Sequence, residues 1–271
     1  MHRPKMLLLA SCLTLPLAVA IDYFEGFDNP GKPPARDGIE WKYKAQLTRV
    51  SGWEQLIPGD GFAYLQVDRA ALKARPMGFR RWPFQTLSLG PVTINHRIGM
   101  RAKNTAIPGV ACLLFTYNQN GTFDEIDIEI VAEDTDSPFA GHRTGVRGGW
   151  TDVRLNIWPG ANKKTFLPAR KIQMPIIDAD GQRVSHQDDR FHIYEIEWSR
   201  DEVRFHIDGV LQKTIPGPVP ENPTNVIFGM RQMPWAGVAD WSGSQTMLVD
   251  WIKIEPLDER PTHGGEQGHR P

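Results

Sequence analysis

The segment Asp124-Glu125-Ile126-Asp127-Ile128-Glu129-Ile130 constrains this chain more than any other. Apolar and acidic residues alternate without a break, which is the period of a β-strand and is incompatible with a helical apolar face. In a strand, Ile126, Ile128 and Ile130 share the buried side, while Glu125, Asp127 and Glu129 line up together on the other. Three like charges on one face repel, and nothing within the segment neutralises them. The same pattern is ordinary on the solvated face of an antiparallel sheet, so alternation alone leaves two readings open: a wet outer face or a site that needs carboxylates. Spacing bears on the choice. Residues four apart on a strand have Cα atoms about 13 Å apart, from roughly 3.3 Å per residue. Two Glu side chains leaning together close that gap to roughly 6 Å, near the separation of about 5 to 5.5 Å between the two carboxyls of a retaining glycosidase and at the short edge of the inverting range.

The remainder of the chain supports an all-β fold. Short alternating runs recur at 62–67, 92–101, 203–207 and 247–254, bounded by the 25 Gly and 22 Pro of the sequence, and no long segment has helical period. The clearest hairpin spans 202–214, where Val203, Phe205 and Ile207 alternate with Arg204 and His206 before an Asp208-Gly209 turn. This predicts two antiparallel sheets packed as a β jelly roll sandwich, in one domain over 21–258. Residues 259–271 are polar and rich in Gly, Pro and His, and are expected to form a disordered tail.

Residues 1–20 read as a secretory signal, with a basic start, an apolar run from Met6 and a small-residue exit at Ala18-Val19-Ala20. The protein is therefore expected to be secreted or periplasmic, with no membrane span. Leu9-Ala10-Ser11-Cys12 resembles a lipoprotein cleavage site and is the alternative, in which Cys12 carries an anchor. Without that leader only Cys112 remains, so the core alone must hold the fold. A net charge of −1 from 31 basic and 32 acidic residues gives no broad field for nucleic acid, and a neutral partner is expected. The chain is expected to be monomeric. Nine Trp residues suit both sandwich cores and sugar-binding clefts.

The sequence Asp124-Glu125-Ile126-Asp127-Ile128-Glu129, with its surroundings, resembles glycoside hydrolase family 16, the group of laminarinases, lichenases and xyloglucan transferases. Phe115-Thr116-Tyr117 before an Asn-Gly loop, Val153-Arg154-Leu155-Asn156, the stretch 191–209 and Val249-Asp250-Trp251-Ile252-Lys253-Ile254 carry the likeness further. The resemblance implies an open substrate cleft, with Glu125 as nucleophile, Glu129 as general acid and base, and Asp127 orienting and tuning them. It implies substrate contacts from Phe123, Asn156 and Arg101, with Arg101 on a cleft strand facing the nucleophile or else a plain surface charge. Trp241 fits the family's sugar platform better than Trp235. Trp150 and Trp158 are candidates for outer subsites or for packing, and Trp41, Trp53, Trp82, Trp198 and Trp251 are assigned to packing. No cofactor is required; a structural calcium would be held partly by Asp250. The unbulged Glu-x-Asp-x-Glu spacing resembles lichenases and xyloglucan transferases more than agarases or carrageenases. The implied activity is endo-hydrolysis of a polysaccharide, such as a β-glucan, by double displacement. The alternatives are a transglycosylase that remodels an envelope or exopolysaccharide glycan, and a lectin-like binding protein on the same fold. His186, Asp188, Asp189 and His192 form a local ligand-like cluster, read as a solvated loop rather than a metal site because no fixed ligand spacing is present.

Overall fold

Period-two burial builds the molecule. In the computed structural model, which describes residues 20–46, 52–68, 83–105, 107–118, 124–132, 149–160, 170–238 and 241–257, Ile126, Ile128 and Ile130 are buried in one continuous core. Two seven-stranded antiparallel sheets enclose it. The front sheet runs β2 (Glu40–Gln46), β4 (Phe84–Val92), β13 (Thr224–Gln232), β6 (Val110–Asn118), β7 (Asp124–Val131), β8 (Asp152–Trp158) and β9 (Arg170–Pro175). The back sheet runs β1 (Tyr23–Glu25), β14 (Ser244–Pro256), β5 (His96–Lys103), β10 (His192–Trp198), β11 (Glu202–Ile207) and β12 (Val210–Pro216), with β3 (Ala63–Asp68) also paired to β14. A single helical turn, α1 (Trp53–Leu56), and a 3-10 turn at Pro234–Ala236 complete the described elements. None of the described helices is long and apolar enough to cross a membrane.

The inner faces of both sheets supply the core, as expected of a sandwich. Trp41, Trp198, Tyr23, Tyr194, Phe27, Phe205 and Phe228 are its largest fully buried side chains. Each buried aromatic or branched side chain contributes about 1.5 to 3 kcal/mol, provided its polar edge is satisfied. Trp41 Nε1 donates to Tyr23 Oη at 2.7 Å and Trp198 Nε1 to the Pro220 carbonyl at 2.8 Å. Cys112 is buried and unpaired, and burial pushes its thiol up to about 12, so it stays a protonated packing group.

The hairpin forms as the sequence predicts. Asp208 and Gly209 both take positive φ, 51° and 76°, the backbone of the two-residue turn that matches strand twist. In the middle of the front sheet, Gly229 has φ +153°, and a Cβ there would lie 2.2 Å from the Gln85 carbonyl oxygen. Only glycine lets β13 approach β4 this closely.

Candidate active site

Cross-strand register decides what surrounds the three acids. On β8, Trp158 faces Glu125, Asn156 faces Asp127, and Arg154 faces Glu129. On β6 the partners are Tyr117, Phe115 and Leu113 in the same order. The carboxylates therefore sit in the centre of the front sheet's outer face, on a partly aromatic floor, with Glu125 and Glu129 half-buried and Asp127 buried.

Burial sets their protonation. Glu125 is pushed up to about 7, first by desolvation and further by the charge of Glu129, against a hydrogen bond from Asp127 and the Arg231 charge. Asp127 is held well above the carboxylate range, first by burial and then by the charge of Glu125, although Asn156 and Trp158 hydrogen-bond to it. The pair thus shares a proton that resides on Asp127 and is donated to the Glu125 carboxylate. Sequence reading expected Asp127 to orient and tune its neighbours, and here it is buried and hydrogen-bonded to Glu125. Asn156 Nδ2 donates to Glu129 Oε2 at 3.3 Å, and its buried Oδ1 has no hydrogen-bond donor.

The strand that carries the acids is braced at its start. Asp124 is fully buried and accepts hydrogen bonds from the Gly160 backbone N–H and the Asn222 side-chain amide, each at 2.5 Å. A Cβ on residue 160 would lie 2.5 Å from Asp124 Oδ1, so glycine is needed there for contact rather than for its dihedral angles. Sequence reading recognised Asp124 only as a neighbour of the triad, since Asn222 is 98 residues away.

Several expected contacts fall elsewhere. Phe123 lies outside the described residues, as do Trp82, Cys12 and the 259–271 tail. Arg101 does not face the nucleophile. Met100 and Ala102 point into the core from β5, which belongs to the back sheet, so Arg101 points out of that sheet and pairs with Asp250 and the Phe191 ring. The same ion pair engages Asp250, the residue expected to help hold a calcium ion, through Oδ2. Trp241 packs on the edge of the main core and donates to the Pro108 carbonyl at 3.2 Å. Trp235 lies with Ala111, Leu113 and Val131 on the face of the triad, and Arg154 stacks 3.7 Å over its ring. Trp158 carries Lys171 at 4.6 Å and Trp150 carries Arg183 at 4.6 Å. Arg154 and Arg231 are the site residues that sequence reading missed. Arg154 was findable, because pairing Asn156 with Asp127 sets Arg154 against Glu129.

The histidine cluster is tighter than its spacing suggests. His186 and His192 stack at 3.6 Å, and the hairpin turn brings in Asp208, whose carboxylate meets His192 Nδ1 at 2.7 Å. Asp188 takes His192 Nε2 at 3.0 Å, and His186 Nδ1 meets Tyr194 Oη at 2.8 Å. Two carboxylates hold His192 above its usual value against the desolvation that opposes them, while burial keeps His186 neutral, near 4. Both nitrogens of His192 are taken, so the cluster ties the 176–191 loop to β10, and the 340 Å³ cavity beside it touches none of the three acids.

Comparison with known proteins gives a consistent picture. A family model described as Glycosyl hydrolases family 16 matches residues 95–253. A beta-glucanase of Paenibacillus macerans is 28% identical over 163 residues, which are 56% of this chain and 54% of that protein. The chain thus spans about half the length of the curated relatives it matches. A solved prokaryotic beta-1,3-1,4-glucanase (lichenase) from a mouse hindgut metagenome is similar with TM-score 0.59 and 18% identity, covering 87% of this chain and 99% of the other. Crh5 transglycosylase is similar with TM-score 0.54 and 19% identity, covering 88% of this chain and 85% of the other. At these identities the solved structures establish the fold, two antiparallel sheets in a jelly roll.

Proposed function

The chain belongs to glycosyl hydrolases family 16, and from that premise we propose that it cleaves internal β-glycosidic bonds of a polysaccharide by double displacement. One observation carries the reading: Glu125, Asp127 and Glu129 share a face of β7, and Asn156, across from Asp127, donates to Glu129. A surface that only bound sugar would gain nothing from gathering three mutually repelling acids.

In the first step the Glu125 carboxylate bonds to the anomeric carbon, the bond to the leaving oxygen breaks, and Glu129 gives that oxygen its proton. In the second, Glu129 takes a proton from water, the water oxygen bonds to the anomeric carbon, and Glu125 is released. The proton on Asp127 steadies Glu125 as nucleophile and as leaving group. The donor-less Oδ1 of Asn156 suits a glycan hydroxyl. A β-glucan backbone containing 1,4-links is the favoured polymer, supported by the unbulged acid spacing and the beta-glucanase relatives. The 1–20 leader supports action outside the cytoplasm. Transglycosylation is the second reading, favoured by the likeness to a transglycosylase; there a sugar hydroxyl replaces water in the second step.

Purified protein assayed on mixed-linkage glucan, xyloglucan, laminarin, agarose and carrageenan tests the proposal. Release of reducing ends with β-anomers formed first is the expected outcome. Products longer than the donor on addition of an acceptor oligosaccharide identify the transferase. An α-anomer formed first contradicts double displacement.

A further inference from the structure

The strand residues on the triad's face carry cations beside the acids and at both edges of the sheet. Lys42 and Lys44 lie at the β2 edge, Arg231 and Arg154 flank the acids, and Lys171 lies at the β9 edge, all placed on this face by the register with β4, β13, β8 and β7. Besides the triad, the carboxylates on these described strands are Glu40 and the buried Asp124 and Asp152, of which Asp152 accepts from Trp150 Nε1 at 2.9 Å. Lys42 and Lys44 at one edge of the sheet and Lys171 at the other therefore place cations on both sides of the central acids.

The outer face of the back sheet shows the contrasting arrangement. There Arg97 pairs with Glu197 and Glu255, Arg101 with Asp250, Arg204 with Glu202, and Lys253 with Glu255. Lys42, Lys44 and Lys171 have no such carboxylate among the described residues. Arg231 Nε is buried without a hydrogen-bond partner. The aromatic surfaces of the site are themselves coated with charge, Arg154 over Trp235 at 3.7 Å and Lys171 over Trp158 at 4.6 Å. A neutral glucan stacks best on a bare ring. A ring capped by a cation offers N–H donors around its rim instead, and guanidinium N–H groups match a carboxylate in pairs.

We propose that the glycan taken by this face is acidic, bearing carboxylates along its length, and that Lys42, Lys44, Arg154 and Lys171 recognise those carboxylates. The inference rests on the glycosidase reading above. The cations span the sheet from β2 to β9, about 29 Å for six spacings of roughly 4.8 Å. The chain thus meets charge on both sides of the bond between Glu125 and Glu129, so a polymer with recurring acidic units fits better than a single acidic end. Recognition at this distance in a partly exposed groove is screened by salt.

The test compares mixed-linkage β-glucan with the same polymer carboxylated at C6, using the full chain. Binding is read by mobility in polymer-containing native gels, and cleavage by reducing ends. We expect the carboxylated polymer to bind about tenfold tighter at low salt, the combined effect of several partly exposed charge pairs, and the advantage to shrink in about 0.5 M NaCl. Lys44→Gln with Lys171→Gln should weaken that binding about threefold or more; an unchanged preference in this double variant overturns the residue assignment. Equal binding of the two polymers, with both cut at equal kcat/KM, overturns the acidic-glycan inference and leaves the glycosidase standing. Salt-sensitive binding of the carboxylated polymer without cleavage of either overturns the glycosidase and leaves the cationic groove standing.

Discussion

Asn156 lies directly across the strand from Asp127, yet its amide donates 3.3 Å away to Glu129, two residues further along β7. The side chain therefore links the buried neutral acid to the carboxyl expected to move protons. Asn156→Ala should lower kcat/KM on the natural glycan by about 10- to 100-fold, the range of a hydrogen bond to a charged group. The loss should be smaller for an aryl glycoside whose leaving oxygen needs no proton. Equal losses on both substrates would mean that Asn156 only supports the fold.

The two outer acids differ by role, and azide separates them. Glu125→Gln should retain folding and lose turnover on the order of 10³-fold or more. Glu129→Ala should still form the glycosyl-enzyme from a nitrophenyl donor, and azide should then yield a β-glycosyl azide after two inversions. Glu125→Ala with an activated β-donor should give the α-azide after one. Exchanged anomers would reverse the roles.

The value of about 7 for Glu125 has consequences in both activity and stability. A nucleophile must be ionised, so kcat/KM should rise with pH to an apparent value near 7 that belongs to the Glu125 and Asp127 pair. Arg231→Gln should move that acid limb upward, since the Arg231 charge lowers Glu125. The folded value lies above the ordinary 4.5, so the folded chain binds this proton more tightly than the unfolded one. Its stabilising contribution is complete below about 4.5 and is lost as pH rises through about 7. Glu125→Gln should accordingly gain melting temperature over the parent as pH rises across that window. A constant difference between the two would show that burial does not shift Glu125.

Asp124 is a brace with no chemistry to perform. Asp124→Ala leaves the Gly160 N–H and the Asn222 amide without their acceptor, each costing about 1 to 3 kcal/mol when buried. Urea unfolding should show a lower midpoint with an unchanged slope. An unaltered midpoint would mean that water reaches both donors.

Much of this was legible in the chain because strand side chains alternate. Period two assigns Ile126, Ile128 and Ile130 to the core and the three acids to the opposite face, and Asp208-Gly209 dictates its turn through local backbone preference. Such features depend on a few neighbouring residues, so the sequence determined them by itself. Alternation says which face a side chain takes; it does not say which sheet or which neighbour. Arg101 alternates correctly and still belongs to the back sheet, because β5 pairs with β14 and β10 through contacts remote in sequence. Trp235 packs on the outer face of the front sheet because β13 inserts between β4 and β6, which carries the turn at Pro234–Ala236 over Ala111 and Leu113. The neutral state of Asp127 likewise required tertiary structure, since desolvation arises from everything packed around a carboxyl and leaves no mark in the residues beside it.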